Sequence, residues 1–274
     1  YLKNANIGLN APFGNGVDLT VGLFDTIVGY EVEASGSNPN VIRSYGYNIE
    51  PLSHTGLLAS TSLTDGLSVN IGLTNGFDAA GDSPENEGHA KLGYLVSAEL
   101  TAPDSLGFLA GSSVHVGHVA GNNQNATGGV NDADDDSLTY VGASLASPIE
   151  GLSLGLAYDD RTWQSGNEAT ALAGYAVYQL SDGLNVALRY DTINFDTGAG
   201  EDNVESIAVT LGYEMWENVL TRLEFGWETG AGLVSTIGSD QVGRFADHAH
   251  NADPALEEEI GDSSYFALNL FYSF

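Results

Sequence analysis

The sequence predicts an all-β fold, an antiparallel transmembrane β-barrel, and two observations carry that prediction. Apolar residues recur at every second position in one segment after another, which is the period of a strand with one apolar face. The segments are joined alternately by short turns and by longer polar loops. A membrane barrel has its turns at one end and its loops at the other, whereas a soluble β-sandwich has no reason to separate them.

Length and hydropathy are compatible with a single barrel domain over residues 1–274. No apolar run approaches the length of about 18 residues that a transmembrane helix needs, and a barrel hides its apolar belt in the alternation. The sequence does not begin with Met, as expected if a signal peptide has been removed or if the chain is truncated.

The charge balance and the residue inventory exclude several classes of function. Lys and Arg total 7 against 37 Asp and Glu, which gives a net charge of −30. Nucleic acid is bound through Lys and Arg, so we expect no nucleic-acid partner. Cysteine is absent, which excludes disulfides and thiolate sites. No Gly-x-Ser-x-Gly or His-Glu-x-x-His motif occurs, and we expect no catalytic residues and no cofactor.

Two clusters have partial metal-binding character. The acidic run from Asp132 to Asp136 lacks the Gly and the terminal Glu of a calcium loop. The pair His248 and His250 lies in a stretch that the pattern indicates to be a loop. We therefore expect no metal site at either cluster.

The first half of the chain contains seven predicted strands. The alternation is clearest in residues 67–75, where Leu67, Val69, Ile71 and Leu73 lie on one face. The Asn-Gly of the first turn and the Asp-Gly of 65–66 suit tight hairpins. The predicted strands cover residues 1–9, 17–24, 54–63, 67–75, 89–100, 107–119 and 137–146.

The second half contains six more strands. The turn at 147–151 contains Pro-Ile-Glu-Gly, and the turn at 181–183 contains Asp-Gly, both typical of hairpin turns. The predicted strands cover residues 152–160, 169–180, 184–195, 204–214, 219–229 and 263–274. Thirteen is an odd number, whereas bacterial single-chain barrels have even counts, so we expect further strands, 14 to 16 in all, in the complete protein.

The last strand, SSYFALNLFYSF, places its large apolar residues at every second position up to the chain end. It resembles the terminal strand of bacterial outer-membrane β-barrels. The resemblance implies a location in the bacterial outer membrane, contact with its lipid, and recognition of this strand by the barrel-assembly machinery. The residues that would form this assembly signal are Phe266, Leu268, Leu270, Tyr272 and Phe274.

A second resemblance covers about a quarter of the chain. The strings GNGVDLTVGLFDTIVGYEVEASGSNPN (14–40), EPLSHTGLLAS (50–60) and IGLTNGFD (71–78) resemble the OmpL-like β-barrel porins. Members of that family carry about three strands before this point, which implies 16 in the complete protein. The resemblance also implies a trimer and a passive channel for small hydrophilic solutes.

The long segment 25–53 would follow the fifth strand of such a barrel, where general porins carry the loop that folds into the lumen. It also keeps enough apolar residues to pack against a wall. We therefore interpret it as a constriction loop. An outer loop that contacts a neighbouring subunit is the alternative. The polar residues expected to meet permeating ions are Asp25, Tyr30, Glu31, Glu33, Arg43 and Glu50.

Charged residues on the strands alternate with apolar ones. Because an Arg facing lipid at mid-bilayer costs about 2–4 kcal/mol, these charges are predicted to face the lumen. Near the loop carboxylates they would produce a transverse field across the pore. The alternative is a set of ion pairs that brace a filled barrel. The predicted wall residues are Lys91, Glu99, Arg189, Asp191, Arg222, Glu224 and Glu228.

The sequence thus favours a porin that passes small hydrophilic solutes and prefers cations. Small inward residues such as Ser68, Asn70 and Gly72 leave room for water in the lumen. A barrel-embedded hydrolase and a structural or adhesive barrel with a plugged lumen remain the two alternatives.

Overall fold

The computed structural model describes residues 3–78, 92–121, 136–163, 166–196, 201–229 and 262–272. These residues form thirteen strands in one sheet, and the strands lie side by side in chain order. The predicted all-β, antiparallel fold is confirmed. The strands are β1 (Ala5–Ala11), β2 (Val17–Asp25), β3 (Ser53–Thr64), β4 (Leu67–Thr74), β5 (Gly93–Thr101), β6 (Ser113–Gly121), β7 (Asp136–Ala146), β8 (Leu152–Thr162), β9 (Glu168–Ser181), β10 (Leu184–Asp196), β11 (Glu201–Trp216), β12 (Val219–Thr229) and β13 (Ser263–Tyr272).

The predicted start of the sixth strand is wrong. The sequence placed a strand over 107–119, but Asp104–Leu109 forms a 3₁₀ helix and β6 begins only at Ser113. The reason is local, since Gly107 and Gly111 have φ values of 64° and 79°, a left-handed conformation that interrupts an extended path. The connection between β5 and β6 is therefore longer than a tight turn.

The opposite error occurs between β8 and β11. These strands extend farther than predicted, so residues 163–167 separate β8 from β9 and residues 197–200 separate β10 from β11. The contrast between short turns and long loops is consequently weaker here than the sequence indicated. The longest connections within the family-like region remain those after β2 and after β4.

The two faces of the sheet have opposite character. Phe266, Leu268 and Leu270 of β13 are 67 %, 72 % and 67 % exposed, and Tyr272 shares their face. Phe274 lies outside the described residues. On β10, Leu188 is exposed whereas Arg189 is buried. An apolar exposed face and a polar buried face are the reverse of a soluble protein and suit a sheet that lipid surrounds. We call these the outward and the inner face.

The described residues divide into two compact units. One is drawn from residues 1–29, 50–143 and 159–169, and the other from residues 30–49, 144–158 and 170–274. The second unit contains β10–β13 and a non-strand segment, residues 30–49, that carries the 3₁₀ helix Ser35–Ser37 and the short helix α1 (Tyr45–Ile49). Among the described residues no helix is long and apolar enough to cross a membrane.

Candidate functional site

Residues 30–49 lie against the inner face of β10–β13, and we call them the docked segment. Within the same unit, β10, β11 and β12 supply polar groups that bind it, and Tyr265 of β13 donates to one of these groups, Glu224. Antiparallel register brings these groups together, since Thr210 of β11 is the partner of Glu224 on β12. The segment therefore rests on the face that carries the buried charges of these strands.

Glu224 binds the centre of the docked segment. Its carboxylate accepts hydrogen bonds from the backbone N–H groups of Val41 and Ile42, at 2.6 and 3.1 Å. The hydroxyls of Thr210 and Tyr265 donate to the same carboxylate at 2.6 and 2.9 Å. Four donors compensate a carboxylate for the loss of water, because a buried charge is tolerated only when its hydrogen bonds are made.

Arg222 binds the same stretch of the segment with a positive charge, whereas Glu224 binds it with a negative one. Its guanidinium donates to the backbone carbonyls of Asn38 and Asn40, at 2.7 and 3.1 Å. It also donates to the side chains of Ser35 and Asn269, both at 3.1 Å. Arg222 thus donates to backbone carbonyls of the segment, and Glu224 accepts from its backbone N–H groups. These bonds take the place of the ladder that a strand partner would supply.

Arg189 and two carboxylates form the most deeply buried part of the site. Arg189 Nε lies 2.9 Å from Asp191, and Nη1 lies 3.5 Å from Glu31 of the docked segment. Arg189 also donates to the carbonyl of Ile42. Glu31 in turn accepts from the backbone N–H and the hydroxyl of Ser44, at 2.7 and 2.9 Å. All of these side chains are at most 5 % exposed.

The helix end of the segment is held by two further carboxylates. The backbone N–H of Tyr45 donates to Asp191 at 2.9 Å, and the Tyr45 hydroxyl donates to Glu228 at 3.0 Å. Ser206 also donates to Asp191, at 2.5 Å. The start of α1 is therefore fixed to both β10 and β12.

The docked segment also braces itself. The Asn38 amide accepts from the N–H of Val32 at 2.8 Å and donates to its carbonyl at 2.6 Å. Arg43 donates to the carbonyl of Glu33 at 2.8 Å and lies over the ring of Tyr47. These bonds give an irregular segment a defined path.

The first residue of the segment packs on a neighbouring strand. The rings of Tyr30 and Tyr175 stack with their centroids 4.3 Å apart. Burial raises the pKa of the Tyr30 hydroxyl above its ordinary value, so this group stays neutral at physiological pH. The charge of the segment consequently comes from its carboxylates and from Arg43.

The structure brings only some of the predicted site residues together. Glu31, Arg189, Asp191, Arg222, Glu224 and Glu228 meet in the contacts just described, and they are buried rather than open to solvent. Glu33 and Arg43 are half-buried within the segment. The predicted wall charges of β10 and β12 therefore bind the segment.

The remaining predicted residues belong to the other unit. Asp25 is exposed and lies 3.8 Å from the Lys3 ammonium group. Glu50 is half-buried beside Gly29. Glu99 is half-buried on the inner face, where its register partner on β6 is His115. Lys91 lies outside the described residues.

Comparison with known proteins decides the family. The profile of the family described as "Putative beta-barrel porin-2, OmpL-like" matches residues 1–274. The chain belongs to this porin family. It is a protein of the bacterial outer membrane, and the resemblance noted over residues 14–78 extends to the whole sequence. No functionally curated protein matches this sequence.

Solved structures share the fold of this porin at low identity. OmpT of Vibrio cholerae has a TM-score of 0.58 and 14 % identity, over 84 % of this chain and 70 % of that one. OmpF of Salmonella typhi has a TM-score of 0.58 and 17 % identity, over 77 % of this chain and 66 % of that one. The anion-selective porin of Comamonas acidovorans has a TM-score of 0.57 and 13 % identity, over 82 % and 66 %.

Sequence reasoning missed several residues of the porin's site. Ser44, Tyr45 and Thr210 are uncharged, and no pattern in the sequence marked them as partners of buried carboxylates. Asn38 could have been suspected, because the Asn-Pro at 38–39 is one of the family-like motifs. Its side-chain bonds to Val32 explain why an amide belongs there.

The first unit of the porin contains a second ion pair that the sequence did not indicate. Arg161 Nη2 lies 2.5 Å from Asp136, the last residue of the acidic run from Asp132 to Asp136. The Arg161 guanidinium lies 3.5 Å from the centroid of the Phe77 ring. Asp136 begins β7 and is buried. Within the described ranges no three His, Asp or Glu side chains gather as a metal site, and His248 and His250 lie outside them.

Proposed function

We propose that this porin is a passive diffusion channel for small hydrophilic solutes and ions, that it prefers cations, and that residues 25–53 form its constriction. The observation that carries the proposal is the position of residues 30–49 on the inner face of β10–β13. The outward face of these strands is apolar and suits lipid, so the inner face is the side on which a pore would run. A segment on that side supports a constriction rather than an outer loop.

The distribution of basic residues supports the preference for cations. Of the described basic side chains, Arg161, Arg189 and Arg222 are each at most 2 % exposed. A guanidinium that is buried against carboxylates and carbonyls presents little positive potential to a passing anion. Asp25 and Glu33, by contrast, keep exposed surface. The solvent-accessible charge of the described residues is thus mainly negative.

Small polar residues on the inner face of the first unit support a water-filled path. Asn70 Nδ2 donates to Ser97 Oγ at 2.9 Å, and neither side chain is bulky. Ser68 and Gly72 share this face of β4. Small inner residues leave volume for water and solutes.

The test is the reversal potential of the purified protein in a planar bilayer under a potassium chloride gradient. A cation-preferring channel gives a reversal potential displaced toward the potassium equilibrium value. A value displaced toward chloride would contradict the preference while leaving the channel itself supported. Conductance that never exceeds the protein-free baseline would contradict the channel.

A barrel with a closed lumen is the second candidate, and one observation favours it. Every charged wall residue of β10–β12 named above is bonded into the docked segment, as expected for ion pairs that brace a filled interior. The same bilayer recording separates the two candidates, because a plugged barrel conducts no ions. Membership in a porin family favours the open channel over this candidate and over a barrel hydrolase.

We further propose that the porin assembles as a homotrimer, as its sequence resemblance implies. The outward face is apolar and exposed, so part of it can contact a neighbouring subunit while the rest contacts lipid. Native mass spectrometry of the detergent-solubilised protein should give three times the chain mass of 28.6 kDa. A dominant monomer peak under mild detergent conditions would contradict the trimer.

A further inference from the structure

A polar cluster interrupts the apolar outward face of β5, β6 and β7. Val96, Val116 and Val141 on this face are exposed, as lipid-facing residues should be. Tyr94 and His118 lie on the same face, because Val96 is the register partner of His118 and Val116 is two residues away on its strand. Thr139 joins them from β7 through a hydrogen bond. We call Tyr94, His118 and Thr139 the outward triad.

The triad has a defined geometry. His118 Nδ1 lies 3.0 Å from the Thr139 hydroxyl oxygen, which fixes the orientation of the imidazole. His118 Nε2 lies 3.4 Å from the Tyr94 hydroxyl, a long distance for a hydrogen bond. The two rings are 5.8 Å apart and tilted by 38°. The Tyr94 hydroxyl and His118 Nε2 therefore point toward one spot and bind each other only weakly.

His118 is exceptional in its position. Among the described strand residues, it is the only side chain able to carry a positive charge that lies on the outward face. The others are buried or lie on the inner face: His54, His115, Arg161, Arg189 and Arg222. A polar side chain directed at hydrocarbon is costly, so a residue of this kind indicates a ligand or a polar environment at its position.

The depth of the triad indicates which ligand. Tyr94 is the second residue of β5, His118 lies three residues before Gly121 at the end of β6, and Thr139 lies three residues after Asp136 at the start of β7. At about 3.3 Å per residue, all three lie within about 10 Å of the loop ends of their strands. The triad therefore lies toward the loop-side end of the outward face rather than at its middle, on the side where lipid headgroups are found.

We propose that the outward triad is a binding site for a phosphate-bearing lipid headgroup in the leaflet next to the long loops. A phosphate oxygen would accept one hydrogen bond from the Tyr94 hydroxyl and one from His118 Nε2–H. Thr139 acts as a positioning residue that holds the imidazole through Nδ1. The lipid tails then continue down the apolar face formed by Val96, Val116 and Val141. The occupant is a lipid rather than free phosphate, because the site opens onto the lipid-facing surface.

The experiment uses the full purified chain in non-ionic detergent and diphosphoryl lipid A as the probe, with bound lipid measured by native mass spectrometry. The test variants are His118→Leu, Tyr94→Phe and Thr139→Val, each close in shape to the original residue. Tyr190→Phe is the matched control, since Tyr190 is an exposed tyrosine on the outward face of β10. Heat-modifiable migration on gels confirms that each variant is folded.

We expect His118→Leu to weaken lipid binding about tenfold, the loss associated with one charge-assisted hydrogen bond. Tyr94→Phe, which removes a single oxygen atom, should weaken it severalfold, and Tyr190→Phe should leave it unchanged. The wild type should also bind dephosphorylated lipid A weakly. Its affinity for that lipid should be no higher than the affinity of His118→Leu for diphosphoryl lipid A.

Three results would overturn the proposal. The first is equal affinity of the wild type and His118→Leu for diphosphoryl lipid A. The second is full displacement of the lipid by millimolar inorganic phosphate, which would identify a free-ion site. The third is a change of oligomeric state with unchanged lipid binding, which would assign the triad to a subunit contact. Bilayer conductance is a separate readout that these variants should leave unchanged, so failure here does not bear on the channel.

Discussion

The Glu224 carboxylate accepts a 2.6 Å hydrogen bond from the backbone N–H of Val41, although 183 residues separate the two in sequence. The contact joins the penultimate strand to the middle of the docked segment. Because the donor is a backbone group, the bond depends on the path of the segment and not on the side chain at position 41. Glu224 therefore has a structural role, because it holds the backbone path of the segment.

Glu224→Gln is expected to loosen the docked segment. The amide keeps the shape but has one oxygen in place of two, so the donors from Val41, Ile42, Thr210 and Tyr265 compete for it. The free energy of unfolding should fall by about 1.5–3 kcal/mol, the range for hydrogen bonds to a charged group. Hydrogen exchange at the Val41 and Ile42 amides should accelerate. Glu214→Gln, at an exposed site on β11, is the control and should change neither the free energy of unfolding nor the exchange rates.

Arg189→Met should destabilise the fold more than any substitution in the segment itself. It leaves the Glu31 and Asp191 carboxylates buried without their shared cation, and breaking a buried pair in this way costs about 3–5 kcal/mol. Adding Glu31→Gln should recover part of that loss, because one of the two uncompensated charges disappears. Urea unfolding in micelles measures the free energy of unfolding of the single and the double variant. Additive effects of the two substitutions would show that the pair is not coupled.

Substitutions on the two faces of the sheet should differ in their effect on assembly. Val209→Arg places a cation on the outward face and should cost about 2–4 kcal/mol if the residue lies at mid-bilayer. The folded fraction should fall, as measured by heat-modifiable migration after refolding into vesicles. Val209→Leu should fold normally, and so should Ser153→Arg, because Ser153 alternates with the outward Leu152 and Leu154. Equal yields of all three variants would mean that the faces are misassigned.

Ion selectivity should follow the accessible charges of the docked segment. Arg43→Gln should increase the preference for cations, because it removes the positive charge of a guanidinium that is only half-buried. Glu33→Gln should displace the reversal potential toward chloride. Asp65→Asn, in the exposed turn between β3 and β4, should have little effect, because exposed charge is screened within about 8 Å at physiological ionic strength. A larger shift from Asp65→Asn than from Glu33→Gln would place the permeation path elsewhere.

Gly29→Ala should distort the entry to the segment. Gly29 has a φ of 106°, and an added Cβ would run into the Glu50 carboxylate. We expect the free energy of unfolding to fall by about 1–3 kcal/mol, the cost of holding a residue with a side chain in such a conformation. Gly174→Ala is the matched control, since its Cβ would meet no atom within 4 Å. Thermal unfolding followed by circular dichroism distinguishes the two, and similar midpoints would argue against strain at position 29.

The sequence by itself determined the strands and their faces. Leu188, Arg189, Tyr190 and Asp191 alternate, and the alternation alone assigned the charges to the inner face, because successive side chains on a strand point in opposite directions. The same period assigned Phe266, Leu268, Leu270 and Tyr272 to one exposed face. Strand faces could be predicted because this property is carried by neighbouring residues. The start of β6 could not, since it depended on the left-handed conformations of Gly107 and Gly111.

Only the tertiary structure decided what the inner charges do. The sequence offered a transverse field or a set of bracing ion pairs, and nothing local distinguished them. In the structure Arg189, Arg222 and Glu224 bind the backbone of a segment that lies far away in sequence. Such contacts depend on the register of four strands and on the path of an irregular segment together. No periodicity encodes them, because the partner groups are amides and carbonyls that every residue carries.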